Sequence, residues 1–125
     1  MKLFTLEEAN ALLPAVREIL RRIQSSRRRL SVYRRQAKLA AEGAEQGGGG
    51  MEGGWLYAKI LTKLTDEIAE LDVIGVQLKD FDRGLVDFPS LREGRVVLLC
   101  WQLGEGDQLE WWHDMDAGFA GRTPL

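Results

Sequence analysis

Apolar residues recur along the first third of the chain at alternating steps of three and four. From Leu13 they run 13, 16, 20, 23, 30, 37 and 41, the spacing of a helical seam that faces another helix. Arg27 and Arg34 fall on the same seam, and Leu12 and Ile19 widen the stripe in its first half only. The first half is therefore expected to face two neighbours and the second half one. Thr5-Leu6-Glu7-Glu8 supplies the start signal, a capping box in which the Thr5 hydroxyl accepts from the Glu8 amide and the Glu8 carboxylate reaches back to Thr5. Pro14 lies deeper than a first-turn proline should, which predicts a local kink or frayed first turns. A helix over 5–42 would be roughly 55 Å long at about 1.5 Å per residue. That is too long to be covered within one small domain.

The next segment, 43–54, reads GAEQGGGGMEGG and has almost no side chains to pack, so it is expected to be a flexible turn. It lacks the Lys-Ser/Thr ending of a phosphate-binding loop and follows no strand. The seam then resumes at Tyr57, Ile60, Leu64, Leu71, Ile74, Leu78 and Phe81, with Glu67 at the skipped position and Leu61 and Ile68 at its flanks. The spacing predicts a second helix over 55–82, stopped by Asp82-Arg83-Gly84. Folded back on the first helix, it brings Glu67 and Glu70 towards Arg27. Two antiparallel helices cannot cover both stripes alone, so a homodimer forming a four-helix bundle is expected.

Beyond Gly84 the period changes to that of strands. Leu85 to Phe88 reads as a short strand ended by Pro89, and Arg95 to Trp101 as a second. Gln108 to His113 is the hairpin partner of the second, across Leu-Gly-Glu-Gly-Asp. The simplest register pairs Cys100 with Leu109, Leu98 with Trp111 and Val96 with His113. Val97, Leu99, Trp101 and Trp112 then occupy the opposite face. Both faces are apolar, so one should pack on the helices and the other be covered by a partner chain, a ligand or the C-terminal tail around Phe119. The fold class predicted is α+β: a long antiparallel helical hairpin, coiled-coil-like, then a three-stranded antiparallel β-sheet and tail over 84–125, all in one domain, 1–125.

Composition adds bounds. A chain of 125 residues with 45% hydrophobic and 29% charged residues is ordinary for one globular domain. No apolar run reaches the roughly 20 residues needed to span a bilayer, and the opening residues lack a signal peptide's apolar core. One cysteine makes no internal disulfide. These features set a cytoplasmic expectation and no membrane partner. The net charge of −2 hides an asymmetry: residues 1–42 carry ten Lys/Arg against four Asp/Glu, and the remainder seven against fifteen.

Candidate chemistry concentrates in the last third. His113 is the one side chain that titrates near neutrality unaided, and Asp114, Asp116 and Glu105 lie near it in sequence. The spacing matches no metal-ligand pattern, so no metal and no cofactor is assigned. In the register above Cys100 and His113 stand too far apart for a thiol nucleophile and its base, and Cys100 reads as a small buried hydrophobe. Asp87 and Arg122 can clamp the tail against the first strand by a charge-assisted pair. Alternatively Arg122, Trp101, Trp112 and His113 line a pocket for a small anion with an aromatic part. The candidate binding surface is thus Asp87, Trp101, Glu105, Trp112, His113 and Arg122, with no residue assigned as catalytic. Arg17, Arg21, Arg28, Arg35 and Lys38 form a basic stripe on the first helix, which could follow an anionic polymer. Tyr33 is the lone aromatic there and the pI is about 5.5, so a solvated face paired with Asp66, Glu70 and Asp72 is preferred to nucleic acid.

Gly75-Val76, Lys79-Asp80, Gly84 to Pro89, Leu99-Cys100-Trp101, Gly104-Glu105, Trp112-His113 and Gly118 to Arg122, with the opening Thr5 to Pro14, together resemble an uncharacterised bacterial family, domain of unknown function 2203. The resemblance spans nearly the whole chain. It implies a small bacterial cytoplasmic protein and transfers no activity and no site residues. The leading functional expectation is a homodimeric assembly or interaction module, with helices dimerising and the sheet presenting a surface to a protein partner. An enzyme with a small-molecule or metal site around His113, and nucleic-acid association through the first helix, are the alternatives.

Overall fold

The computed structural model describes residues 1–44 and 51–125. Helix α1 spans Leu6–Ala44 and helix α2 spans Met51–Ile74. Of the glycine-rich segment 43–54, residues 45–50 lie outside the described residues. Strands β1 (Gln77–Asp80), β2 (Leu85–Arg92), β3 (Arg95–Gln102), β4 (Trp111–Asp114) and β5 (Thr123–Pro124) follow in one antiparallel meander. The fold is α+β, and the sheet has five strands where three are expected.

The start of α1 follows the sequence closely. The Glu8 amide donates to Thr5 Oγ1 at 3.1 Å, and Glu8 Oε1 accepts from the Thr5 amide at 2.9 Å. Helical backbone continues through Pro14, whose ring lies on the exposed side. The two helices run antiparallel: Arg22 forks onto Glu70 at 2.8 and 3.1 Å, and Ser26 Oγ donates to Glu67 Oε1. Arg27 meets neither Glu67 nor Glu70. It pairs with Asp82 at 2.8 Å and stacks on Phe81, because Phe81 and Asp82 are no longer helical.

The second helix ends eight residues earlier than its seam suggests. Gly75 takes φ +88°, its amide bonds to the Asp72 carbonyl, and the Val76 amide bonds to the Leu71 carbonyl. That pair of reversed bonds is a Schellman stop, completed by buried Val76 against buried Leu71. A Cβ on Gly75 would also stand 2.9 Å from Lys2 Cβ. Leu78 keeps its place over the core, but on β1. Gly84, φ +61°, closes the β1–β2 turn through a bond to the Phe81 carbonyl rather than a helix end.

Strand β2 runs through Pro89 to Arg92. Beyond the β1 pairing, which ends at Asp87, the N-terminal segment lies beside β2: the Phe4 amide donates to the Pro89 carbonyl, and Ser90 Oγ donates to the Phe4 carbonyl. The side on which Pro89 lacks an N–H therefore faces away from β3, and the β2–β3 ladder is intact.

Val86, Phe88, Leu99, Trp101 and Trp112 face the helices and join Leu13, Val16, Leu20, Ile23, Leu64 and Leu71 in one core. Leu109 plugs the same core from the β3–β4 loop, with its amide held by Asn10 Oδ1 at 2.7 Å. That anchor takes Leu109 out of the strand. β4 consequently pairs two residues further along than expected: Cys100 opposes Trp111, Leu99 opposes Trp112 and Leu98 opposes His113. A shift of two preserves which side chains share a face. The second face, with Leu85, Asp87, Pro89, Leu98, Cys100 and His113, is also buried within the single chain.

Candidate functional site

Three adjacent strands place three ligand-type side chains together on the second face of the sheet. Asp87 on β2 opposes Cys100 on β3, and His113 on β4 stands diagonal to Cys100, two residues along from its partner Trp111. Their donor atoms all lie within 4.8 Å of one another, and the residues are only 1–3% exposed. His113 Nε2 approaches Asp87 Oδ1 at 3.1 Å, while Nδ1 sits 2.8 Å from the Asp114 carbonyl oxygen. A carbonyl only accepts, so Nδ1 carries hydrogen and donates. In the neutral ring Nε2 is then a lone pair facing Asp87 Oδ1.

Cys100 is not poised as a nucleophile. Burial first, and then the Asp87 charge, push its thiol up to about 12. Its closeness to His113 follows from the two-residue shift in register.

The C-terminal tail is pinned over this face. Arg122 Nη2 donates to both carboxylate oxygens of Glu105, at 2.8 and 2.9 Å, and the guanidinium lies over Trp111 and Phe119. Phe119 in turn packs 3.9 Å from the Arg83 guanidinium, in the β1–β2 turn. The tail thus reaches from β4 across to the far side of the sheet. Glu105 is itself fixed by accepting from the Gln102 amide at 2.8 Å. The expected Asp87–Arg122 clamp is replaced by two separate pairs, Arg122 with Glu105 and Asp87 with His113.

Trp101 and Trp112 lie on the opposite, helix-facing side, so no single pocket includes them with His113 and Arg122. Trp101 is buried, its Nε1–H donates to the Gly106 carbonyl, and Arg17 covers its ring. Trp112 is half-buried under Arg92 and Arg95. The sheet presents no open face of the kind expected, because the tail and the helices take one each. Asp114 is half-buried and pairs with Arg95, and Asp116 is exposed; neither carboxylate joins the cluster.

The basic stripe is likewise divided. Arg17 pairs with Asp107 at 3.1 Å, and Arg28 lines a surface depression with Gln24, Arg27, Ser31, Phe81 and Asp82. Arg21, Arg35 and Lys38 are exposed.

A second feature lies at the far end of the hairpin. From residue 31 to residue 43 no described side chain of α1 is buried; Tyr33 and Ala37 are only half-buried. Val32, Leu39, Trp55 and Leu61 are exposed there. On one side of this arm, Arg29, Leu56, Lys59, Ile60, Lys63 and Asp66 line a shallow depression.

The cluster was hard to read from sequence because Asp87 and Cys100 meet only through strand pairing. A polar Asp87 among Leu85, Val86 and Phe88 was the available signal: a lone carboxylate in an apolar strand needs a partner inside.

The model of a family described as an uncharacterised conserved protein, DUF2203, matches residues 2–125. No curated protein and no solved structure matches the chain. Among the described residues, no helix is long and apolar enough to cross a membrane.

Proposed function

The chain belongs to the DUF2203 family, and we propose that it is a homodimeric assembly module whose helical hairpin packs against a second copy of itself. The observation that carries this reading is the arm beyond the sheet. There α1 continues its seam through Leu30, Ala37 and Ala41, yet among the described residues it buries no side chain from residue 31 to residue 43. A two-helix arm of this kind gains little from tertiary packing, and isolated helices of such length are marginal in water. A second hairpin supplies the missing layer.

Charge favours a second copy, packed tip to base. Residues 19–41 hold eight Lys/Arg and no Asp/Glu, whereas residues 64–78 hold four Asp/Glu and no Lys/Arg. Glu18, Arg22 and Arg29 share one side of α1 by helical spacing, and Leu56, Lys63 and Glu70 share one side of α2. The Arg22–Glu70 fork joins these two sides into a single face. Its tip is apolar and basic (Leu56, Lys59, Lys63, Arg29), and its base carries Glu18 and Glu70. A twofold, antiparallel association sets each basic tip on the other copy's acidic base, and a twofold interface satisfies both contacts at once.

Zero-length carbodiimide cross-linking of an equal mixture of ¹⁵N-labelled and unlabelled chains tests this. Mixed-isotope cross-links joining Lys59 or Lys63 to Glu18 are expected. Cross-links found only within single chains would overturn the reading. An enzyme built on Cys100 is less well supported, since the thiol is buried and held protonated.

A further inference from the structure

We propose that Asp87, Cys100 and His113 form a binding site for one divalent transition-metal ion of the zinc type. The site is independent of the helical arm. Its donors are a carboxylate oxygen, a thiol sulfur and an imidazole nitrogen, the set that Zn²⁺ and Co²⁺ take and that Mg²⁺ and Ca²⁺ do not. They come from three neighbouring strands, so the backbone that holds them is rigid.

Two observations give the cluster the make-up of a cation site. The first is the orientation of His113. Its Nδ1–H is committed to the Asp114 carbonyl, which leaves the Nε2 lone pair aimed at Asp87 Oδ1, another acceptor, 3.1 Å away. Two acceptors at that distance require a positive centre between them, either a proton or a metal. A ring whose far nitrogen donates to a backbone carbonyl is also how metal-binding imidazoles are fixed in tautomer and direction.

The second is charge. Asp87 is only 2% exposed and stands against a cysteine only 1% exposed, so a positive charge is needed inside the site, which a shared proton or a bound cation supplies. Arg122, whose charge acts on Cys100, is engaged by Glu105. A divalent ion bound by carboxylate, thiolate and neutral imidazole gives a site of zero net charge. Binding displaces the thiol proton of Cys100 and the proton shared by Asp87 and His113, so two protons leave to solvent for each ion taken up.

The geometry is close to what the ion needs. Bonds of about 2.0–2.3 Å in a tetrahedron separate ligand atoms by about 3.5 Å, and the three donor atoms here lie within 4.8 Å. Three protein ligands leave a fourth position for a solvent molecule or a small ligand.

Titration of the full-length, metal-stripped chain with Co²⁺ tests the site directly. One equivalent should produce a thiolate-to-cobalt charge-transfer band in the near ultraviolet and the intense visible bands of a four-coordinate ion. Zn²⁺ should bleach both and raise the thermal midpoint. Cys100→Ser, which keeps the size and burial of the side chain, should abolish the charge-transfer band and weaken Co²⁺ binding at least tenfold, with the circular dichroism spectrum retained. Asp87→Asn should weaken binding with the band still present at high Co²⁺, separating loss of a ligand from loss of fold. Absence of a charge-transfer band at millimolar Co²⁺, or a band that survives in Cys100→Ser, would overturn the assignment.

Discussion

Removing the Arg122 side chain tests whether the tail closes the second face of the sheet. The guanidinium donates two charge-assisted bonds to Glu105 and lies over two aromatic rings, at 4.9 Å from Trp111 and 4.6 Å from Phe119. The pair is largely withdrawn from solvent, with side-chain exposures of 11% and 20%. Hydrogen bonds between charged groups contribute about 1.5–3 kcal/mol, and each ring contact about 0.5–1 kcal/mol. Glu105 keeps its bond from the Gln102 amide, and its freed oxygens meet water once the tail lifts, so the net loss in Arg122→Ala is about 2–3 kcal/mol. That loss falls on tail opening first, because the core between sheet and helices contains no part of the tail. Cys100 reports the opening, since it lies 1% exposed on the covered face. Its labelling by a thiol reagent in native buffer should accelerate roughly 30- to 150-fold, at a factor of ten per 1.4 kcal/mol, while far-ultraviolet circular dichroism stays unchanged. If the labelling rate stays within threefold of the parent chain, the tail is not what covers Cys100.

Further predictions follow from the helices and turns. Ser26→Ala strips the buried Glu67 carboxylate of its hydroxyl donor and should cost about 1–3 kcal/mol in urea unfolding; adding Glu67→Met to that variant should recover most of the loss. Gly75→Ala puts a side chain at φ +88° and 2.9 Å from Lys2 Cβ, and should cost at least about 1–2 kcal/mol by the same assay. Glu18→Lys and Lys63→Glu should each weaken self-association roughly fivefold, about 1 kcal/mol, and the two reversals together should restore it. Duplex DNA or RNA should leave the sedimentation of the chain unchanged at moderate salt; binding that falls steeply with added salt would instead assign the basic arm to phosphates.

The legible parts of this fold are those fixed by short-range chemistry. The capping box at Thr5 and the apolar side of α1 from Leu13 to Ile23 were written in local spacing, and so was the sharing of a face by Leu99, Trp101 and Trp112. Leu78 and Phe81 continue the helical spacing of α2, yet Leu78 covers the core from β1 and Phe81 lies exposed in the turn beyond it. Gly75 decided the matter through a left-handed turn that periodicity does not register. Pro89 ends β2 only if both edges of that strand need N–H donors, and the edge it faces is met by Phe4 instead. The register of β4 was set by a distant contact, Asn10 to Leu109, which no feature of the hairpin itself could reveal. The Asp87–Cys100–His113 cluster depended on that register, and it stayed hidden for the same reason.

Sedimentation equilibrium of the untagged chain decides whether the hairpins pair. The homodimer should give a mass near 28.2 kDa, twice the 14.1 kDa of one chain, at concentrations on the order of ten micromolar and low salt, with dissociation as salt screens the tip-to-base charges. A mass of 14.1 kDa at every concentration up to the millimolar range would contradict it.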